Sequence, residues 1–340
     1  MRGGLFSLVL SAAVLFSAPV MAQQTAQILS FDDLEGWAED DHEAALRVFL
    51  NTCPDMDGEW LRLCAVAQQE PNARTFFELF FRPVLIGGED PALFTGYFEP
   101  ELNGSRTRTG RYRYPVYRLP PDIAEPYYTR REIDQDGVLD GRGLEIAWVD
   151  DPVELFFLQI QGSGRIRLTD GHVIRVGYAG RNGRNYRSVG QELVRRGVYQ
   201  AHQVSAQVIQ SWVRRHGAEG RELLYHNPAY VFFRVIRTRN ENDGPLGAMN
   251  RSITAMRSIA VDPVFTPLGA PVWIEKDGET PMRRLMIAQD TGSAIQGAQR
   301  ADIFYGFGDA AGQEAGRIRD PGRMIVLMPI ELANLMAPDV

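Results

Sequence analysis

The region from 40 to 81 has the hydrophobic spacing of amphipathic helices. Apolar residues recur there every three or four positions, which places them on one face of a helix. These residues are Ala44, Ala45, Val48 and Phe49, followed by Trp60, Leu61, Leu63 and Cys64. Pro54, Pro71 and Pro83 separate the runs, and proline is tolerated at the start of a helix but not in its interior. We therefore predict three short helices.

From residue 91 onward the pattern changes to short alternating runs bounded by Gly and Pro, which is typical of β-strands. The predicted strands are 93–98, 112–117, 155–160, 165–168, 172–176 and 230–235, with several more between 258 and 327. Two helices interrupt them, one from the N-cap Ser188 to about residue 196 and one over 203–216. The chain is thus predicted to be mainly β with short helices, and its last third to form a small barrel.

Composition and charge limit the number of domains and the classes of function that the chain can have. The 340 residues are 44% hydrophobic and 23% charged, which suits one large globular domain or two smaller ones. The 36 basic residues against 43 acidic ones give a net charge of −7, so no overall positive field attracts nucleic acid. Nucleic acid is therefore not an expected partner.

Residues 1–22 have the three parts of a secretory signal peptide. Arg2 provides positive charge, residues 5–16 an apolar run, and Val20 and Ala22 the small residues of a cleavage site. The run is shorter than the roughly 20 residues that span a bilayer. We therefore predict a periplasmic mature chain without a transmembrane segment. Because no lipobox cysteine follows the run, any attachment to the outer membrane would be peripheral.

The two cysteines, Cys53 and Cys64, are eleven positions apart. In an oxidising compartment they could form a disulfide between neighbouring helices, and two independent buried thiols are the alternative. Neither they nor the five histidines have the spacing of metal ligands. No metal or other cofactor is expected.

Three carboxylates in the last third are the best candidates for chemistry. Asp262, Asp290 and Asp302 each follow or open an apolar run. A carboxyl group at the end of a buried strand is partly desolvated, which raises its pKa and lets it act as a general acid. Each residue alone could equally be a turn former. Three together favour a catalytic site.

Several motifs in order carry a family resemblance. Phe-Thr-Gly-Tyr-Phe-Glu-Pro stands at 94–100, Tyr-Pro-Val-Tyr at 114–117, and Gln-Gly-Ser-Gly at 161–164. Gly-Tyr-Ala-Gly-Arg-Asn-Gly follows at 177–183, and Tyr-Arg-Ser-Val-Gly at 186–190. With these blocks, the chain resembles the membrane-bound lytic murein transglycosylase A family, whose C-terminal three-aspartate domain is named for acids at the positions of Asp262, Asp290 and Asp302.

The resemblance implies a double-psi β-barrel with a second, inserted β-rich domain and a substrate groove between them. The expected parts are N-terminal helices and the first part of the barrel over 23–105, the inserted domain over 106–228, and the three-aspartate domain over 229–335. The implied activity is that of a peptidoglycan lytic exotransglycosylase. Peptidoglycan glycan strands are the expected substrate, and proteins of cell-wall synthesis or division are candidate partners.

Asp302 stands at the position of that family's single catalytic acid, and Asp290 is expected to lie close by in the same site. Asp262 is expected to be structural. The groove needs polar groups and flat apolar faces for sugars. The residues expected to line it are Thr95, Tyr97, Gln161, Ser163, Tyr178, Asn182 and Tyr186. The tyrosines could instead be half-buried strand residues, and Gly-Ser-Gly only a turn. A non-catalytic peptidoglycan-binding protein and a hydrolase that uses water at the same site remain alternative functions.

Overall fold

A computed structural model describes residues 26–69, 72–88, 90–237, 243–292 and 294–336. The predicted signal peptide lies outside these ranges. The strands are β1 Ala26–Ile28, β2 Phe81–Ile86, β3 Ala92–Glu99, β4 Glu101–Ser105, β5 Tyr114–Tyr117, β6 Glu145–Val149, β7 Ser163–Leu168, β8 Val173–Arg181, β9 Val231–Ile236, β10 Ser258–Val261, β11 Pro271–Lys276, β12 Met282–Asp290, β13 Arg300–Phe307 and β14 Arg319–Pro329. The helices are α1 His42–Thr52, α2 Gly58–Ala67, α3 Ala73–Phe80, α4 Arg130–Asp134, α5 Pro152–Gln161, α6 Val189–Arg195, α7 Ala206–Arg215, α8 Gly217–Tyr225, α9 Gly308–Ala315 and α10 Ile330–Met336. Within the described ranges, no helix has the length and apolar character to cross a membrane.

Six strands close into a barrel. Their order is β14, β11, β12, β10, β13 and β3, and the ring closes because β3 pairs with both β13 and β14. The pairs β10–β12 and β13–β3 are parallel, and the other four are antiparallel. This six-stranded barrel agrees with the double-psi barrel that the resemblance implies. Strands β2 and β1 extend the sheet outside the ring.

The second sheet is formed by the chain between two barrel strands. Its order is β5, β6, β4, β7, β8 and β9. The chain enters it at Pro100, directly after β3, and returns to the barrel between β9 and β10. Both β4 and β9 lie in this sheet, although the predicted inserted domain covered only 106–228. The change of sheet at Pro100 occurs within one stretch of strand pattern, so the hydrophobic pattern does not mark it.

The predicted N-terminal helices are observed as α1, α2 and α3, and they pack on one face of the barrel. On β12, Leu285 and Ile287 contact these helices, whereas Met286 and Ala288 belong to the core inside the ring. This is the two-residue alternation of a strand buried on both faces. Cys53 and Cys64 form a disulfide with a Cα–Cα distance of 5.6 Å, which links the end of α1 to α2.

The strand prediction at 155–160 is wrong, because this segment is part of α5. The Asp151 side chain accepts hydrogen bonds from the backbone N–H groups of Val153 and Glu154, and Pro152 occupies the first turn. Gly162 ends the helix with a φ of 76°, which favours glycine. A continuous apolar run fits a buried strand or a buried helix equally well. The capping residues on either side decide for the helix.

Candidate active site

The register of three neighbouring strands brings Asp290 and Asp302 together. Strand β10 lies between β12 and β13, and its Ala260 is paired with Asp290 on one side and with Asp302 on the other. Neighbouring strands in a sheet are about 4.8 Å apart, so the backbones of the two acidic residues, two strands apart, are separated by about 10 Å. Only the small side chain of Ala260 stands between them in this row.

A β-bulge aligns Asp290 with this row. Ile259 pairs with Ala288 and the next residue, Ala260, with Asp290, so Gln289 is an extra residue on β12. Gln289 is fully buried and accepts a hydrogen bond from the Ser258 hydroxyl. A bulge redirects the side chains that follow it. Here it places a carboxylate, and not the Gln289 amide, beside Ala260.

Strand β3 contacts both acids. Thr95 is the register partner of Asp302, and its hydroxyl donates to Asp302 Oδ1 at 2.5 Å. Two residues further, the Tyr97 hydroxyl donates to Asp290 Oδ2 at 3.0 Å. Residues two apart on a strand point to the same face. Thr95 and Tyr97, which were predicted to bind glycan, therefore hold the two acids.

Three further groups complete the site, and sequence reasoning missed them. The backbone N–H groups of Ala248 and Thr291 donate to Asp290 Oδ1 at 3.1 and 2.9 Å. Arg300 Nη2 donates to the Thr95 hydroxyl oxygen at 2.8 Å. The two amides have no sequence signal, whereas the position of Arg300 two residues before Asp302 on the same strand could have identified it.

The two acids differ in how their oxygens are used. Both oxygens of Asp290 accept hydrogen bonds, from Tyr97 on one side and from two backbone amides on the other. Asp302 accepts only at Oδ1, and its Oδ2 has no partner among the described residues. Asp302 therefore has an oxygen without any partner among the described residues, where it can exchange a proton with a ligand, whereas both oxygens of Asp290 are already engaged.

Burial is the main cause that raises the pKa of both carboxyl groups. For Asp302, the Thr95 hydrogen bond and the Arg300 charge lower the pKa and the Asp290 charge raises it, and the net shift is upward. The pKa of Asp290 is also raised, although the bonds from Thr291, Tyr97 and Ala248 oppose the shift. A raised pKa lets a carboxyl group keep its proton closer to neutral pH. The site thus has the electrostatics of a general acid.

Four of the predicted groove residues lie in the second domain. Gln161 is the exposed last residue of α5, and Ser163 opens β7 opposite Gly177 of β8. Tyr178 follows on β8 with 51% of its surface exposed, and Tyr186 is 56% exposed. The backbone N–H of Arg165 donates to the backbone carbonyl of Pro100 at 2.8 Å, and this bond holds the start of β7 against the end of β3.

The prediction for Asn182 is wrong. This side chain is fully buried, and its amide nitrogen donates to the carbonyl oxygens of Tyr128 and Pro228. Its amide oxygen accepts from the backbone N–H groups of Arg184 and Tyr230. Both donors and both lone pairs of the amide are used, so no capacity remains for a sugar. Asn182 holds the loop before β9.

Asp262 lies apart from the row of acids. It follows β10, and its two oxygens accept from the backbone N–H groups of Val264 at 3.0 Å and Gly297 at 2.8 Å. These bonds join two loops. They use the carboxylate as an acceptor, in agreement with the structural role expected for it.

Comparison with known proteins identifies the family. Residues 93–234 match the MltA specific insert domain, and residues 257–328 match the 3D domain. A membrane-bound lytic murein transglycosylase A from Vibrio cholerae is 33% identical over 269 residues, which are 75% of this chain and 71% of that protein. The crystal structure of MltA from Neisseria gonorrhoeae, in its monoclinic form, is 32% identical with a TM-score of 0.82, covering 91% of this chain and 93% of the other. That of Escherichia coli MltA with bound chitohexaose is 30% identical with a TM-score of 0.72, covering 87% and 90%. The chain belongs to the membrane-bound lytic murein transglycosylase A family.

Proposed function

We propose that this protein is a lytic transglycosylase that cleaves the β-1,4 bond between N-acetylmuramic acid and N-acetylglucosamine in peptidoglycan. Its family membership supports the reaction class, because its relatives are named lytic murein transglycosylases. The observation that carries the proposal is the difference between the acids. Within the described part of the chain, one oxygen of Asp302 has no partner, whereas both oxygens of Asp290, two strands away, accept hydrogen bonds.

The reaction needs a single group that acts first as an acid and then as a base. Asp302 protonates the glycosidic oxygen, and the electrons of the bond from C1 to that oxygen pass to the leaving group. The C6 hydroxyl of the same N-acetylmuramic acid attacks C1, and its proton passes to the Asp302 carboxylate. An intramolecular nucleophile has a high effective concentration, so no second carboxylate is required to activate water. The product ends in a 1,6-anhydro ring.

We propose that the substrate occupies a groove between the barrel and the second sheet. Gln161, Ser163, Tyr178 and Tyr186 would supply its polar and flat apolar contacts. The bound chitohexaose in the Escherichia coli relative supports an extended site for several sugars. Asp290 would raise the pKa of Asp302, and Asp262 would stabilise the loops. Because β4 and β9 both belong to the second sheet, we propose domain limits at about 100 and 236 in place of the expected 105 and 228.

The product terminus tests the reaction. Purified peptidoglycan is digested with the wild-type protein and with Asp302→Asn, and the products are analysed by mass spectrometry. We expect 1,6-anhydro ends from the wild type and a loss of about 10²-fold or more in rate for Asp302→Asn, because it removes the acid-base group. Asp32→Asn is the matched control, since it removes an exposed carboxylate outside the row of acids.

Each alternative function predicts a different outcome of this experiment. Reducing ends, heavier than anhydro ends by one water, would identify a hydrolase. Glycan binding without any cleavage would identify a peptidoglycan-binding protein. Full activity in a folded Asp302→Asn protein would disprove the mechanism. Glycan binding by this variant should stay close to wild type, because Asp302 acts in proton transfer.

We further propose that the protein works in the periplasm, with at most peripheral attachment to the outer membrane. The predicted signal peptide supports this location. Cell fractionation and N-terminal sequencing test it: we expect a processed protein in the periplasmic fraction. A protein in the membrane pellet that still carries residues 1–22, or that carries a lipid, would contradict the proposal.

A further inference from the structure

A chain of two hydrogen bonds ends at one oxygen of Asp302. Arg300 Nη2 donates to Thr95 Oγ1 at 2.8 Å, and Thr95 Oγ1 donates to Asp302 Oδ1 at 2.5 Å. Arg300 Nη1 also donates to the backbone carbonyl oxygens of Leu93 on β3 and Ala301 on its own strand, so contacts with both strands hold its guanidinium. The other oxygen of Asp302, Oδ2, has no partner in the part of the chain that the structure describes.

The donor groups fix the direction of this chain of hydrogen bonds, from Arg300 through Thr95 to Asp302. A guanidinium group can only donate, so the Arg300 contact occupies a lone pair of the Thr95 oxygen. Within the described residues, Asp302 Oδ1 is the acceptor that the Thr95 hydroxyl proton reaches. If the Asp302 proton were on Oδ1, the Thr95 hydroxyl would lose this acceptor, and an unmade hydrogen bond in a half-buried site is unfavourable.

We propose that Arg300 and Thr95 are positioning residues that place the catalytic proton of Asp302 on Oδ2. This inference rests on the proposed function and deepens it. Oδ2 then donates the proton to the glycosidic oxygen and, as part of the carboxylate, receives the proton of the C6 hydroxyl. Oδ1 keeps the same hydrogen bond before and after the step, so the carboxyl group does not need to rotate between its two roles.

The side chains around Asp302 determine how its pKa changes when one of them is replaced. Thr95 and Tyr97 face it from β3, Arg300 from its own strand and Asp290 from β12. Arg319 of β14 lies close enough to Arg300 to lower the pKa of that guanidinium, and burial lowers it more. Thr95 and Arg300 both lower the pKa of Asp302. Removing either one should therefore raise that pKa.

The test compares Thr95→Val, which has the same shape without a hydroxyl, with Thr95→Ser, which keeps it. The Asp302 carboxyl is titrated by ¹³C NMR in aspartate-labelled full-length protein, and kcat on purified peptidoglycan is measured against pH. We expect Thr95→Val to raise the Asp302 pKa by about one unit, the effect of one lost hydrogen bond to a charged group. The alkaline limb of kcat should move with it.

The two variants should also differ in rate. In Thr95→Val the proton is shared between two oxygens, so kcat at the optimum should fall by about twofold or more. Thr95→Ser should restore the wild-type titration and pH profile. Arg300→Met should shift the titration in the same direction as Thr95→Val. Thr95→Ala serves as the variant without a hydroxyl if Thr95→Val fails to fold, as judged by circular dichroism.

An unchanged Asp302 titration in a folded Thr95→Val or Thr95→Ala protein would overturn the inference. So would a Thr95→Ser profile that matches Thr95→Val, because the hydroxyl would then have no role, or an unchanged Arg300→Met titration. A rise in KM alone, with an unchanged pH profile, would assign Thr95 to substrate binding instead. Failure of the proposed function is separate: the wild type would form no anhydro ends, whereas the NMR titration would still report on Thr95.

Discussion

Asp290 influences Asp302 through charge. Its backbone lies about 10 Å away across Ala260, and its ionised carboxylate opposes the ionisation of Asp302. Asp290→Asn should preserve the local structure, because the amide oxygen can accept from Ala248 and Thr291 and the amide nitrogen can donate to Tyr97. The activity of this variant depends on how much of the Asp302 pKa comes from charge repulsion.

We predict that Asp290→Asn moves the alkaline limb of kcat to lower pH. The acid is active when protonated, so activity is lost as the pH rises through the Asp302 pKa, and without Asp290 that pKa is lower. The shift should be small, because the Asp290 charge is the weakest of the influences on the Asp302 pKa. Asp32→Asn, which changes the net charge equally at an exposed position, should leave the limb in place. An unshifted limb in Asp290→Asn would show that Asp290 has no electrostatic role.

At this scale, Asp290 and Asp302 could be selected from the sequence as candidate acids, but their hydrogen-bond partners could not. The carboxylates were identified because each ends or opens an apolar run. The contacts of Asp290 with the Ala248 and Thr291 amides depend on a β-bulge and a return loop, which no side-chain pattern encodes. Asn182 was wrongly assigned to the groove because a polar residue in a Gly-rich motif resembles a sugar contact, whereas burial makes it a loop anchor.

Strand β3 must approach helix α9 closely at Gly96, between the two residues that hold the acids. A Cβ atom at this position would lie 2.8 Å from the Cα atom of Ala315 and 2.9 Å from the Tyr305 ring. Since Ala315 contributes backbone atoms, either the helix or the strand would have to move. The sequence motif contains this glycine, and only the helix packed against it explains why a side chain cannot replace its hydrogen.

Gly96→Ala should therefore destabilise the protein by about 1–3 kcal/mol, which is typical of overpacking. Urea unfolding measures the change, and kcat should fall because Thr95 and Tyr97 flank the site of strain. Gly110→Ala is the control, because a Cβ atom there meets nothing within 4 Å. It should change the free energy of unfolding by less than about 1 kcal/mol. Equal effects of the two substitutions would show that β3 and α9 are not tightly packed at Gly96.

The two domains are joined by a buried ion cluster where the chain passes between them. Glu99, the last residue of β3, is 1% exposed and accepts from Arg165 at 2.8 Å and from Arg175 at 2.8 and 3.0 Å. Both arginines lie in the second sheet, and both also donate to the backbone carbonyl of Asp243, at 2.9 and 2.5 Å. The cluster thus holds the outgoing strand and the returning segment together.

This arrangement explains why the domain organisation was harder to predict than the barrel strands. Thr95, Tyr97 and Glu99 alternate along one face of β3, so the strand that holds both acids also carries the carboxylate of the cluster. The partners of Glu99 are more than 60 positions away, and nothing in the local pattern links them. The geometry of the acids and the attachment of the second domain therefore depend on the same strand.

We predict that Glu99→Gln weakens the whole molecule. Removing the carboxylate takes away a counter-charge that two buried guanidinium groups share, and breaking a buried ion pair costs about 3–5 kcal/mol. Glu101→Gln is the matched control on the next strand. Glu101 accepts from Arg167 at 2.9 Å, but the Arg167 side chain is 51% exposed. We therefore expect this variant to lose less than about 1 kcal/mol of stability. Urea unfolding compares the two. KM for peptidoglycan should rise in Glu99→Gln, because the walls of the proposed groove belong to the two domains that the cluster joins. Equal stability and equal KM in both variants would show that the buried cluster does not set the geometry between the domains.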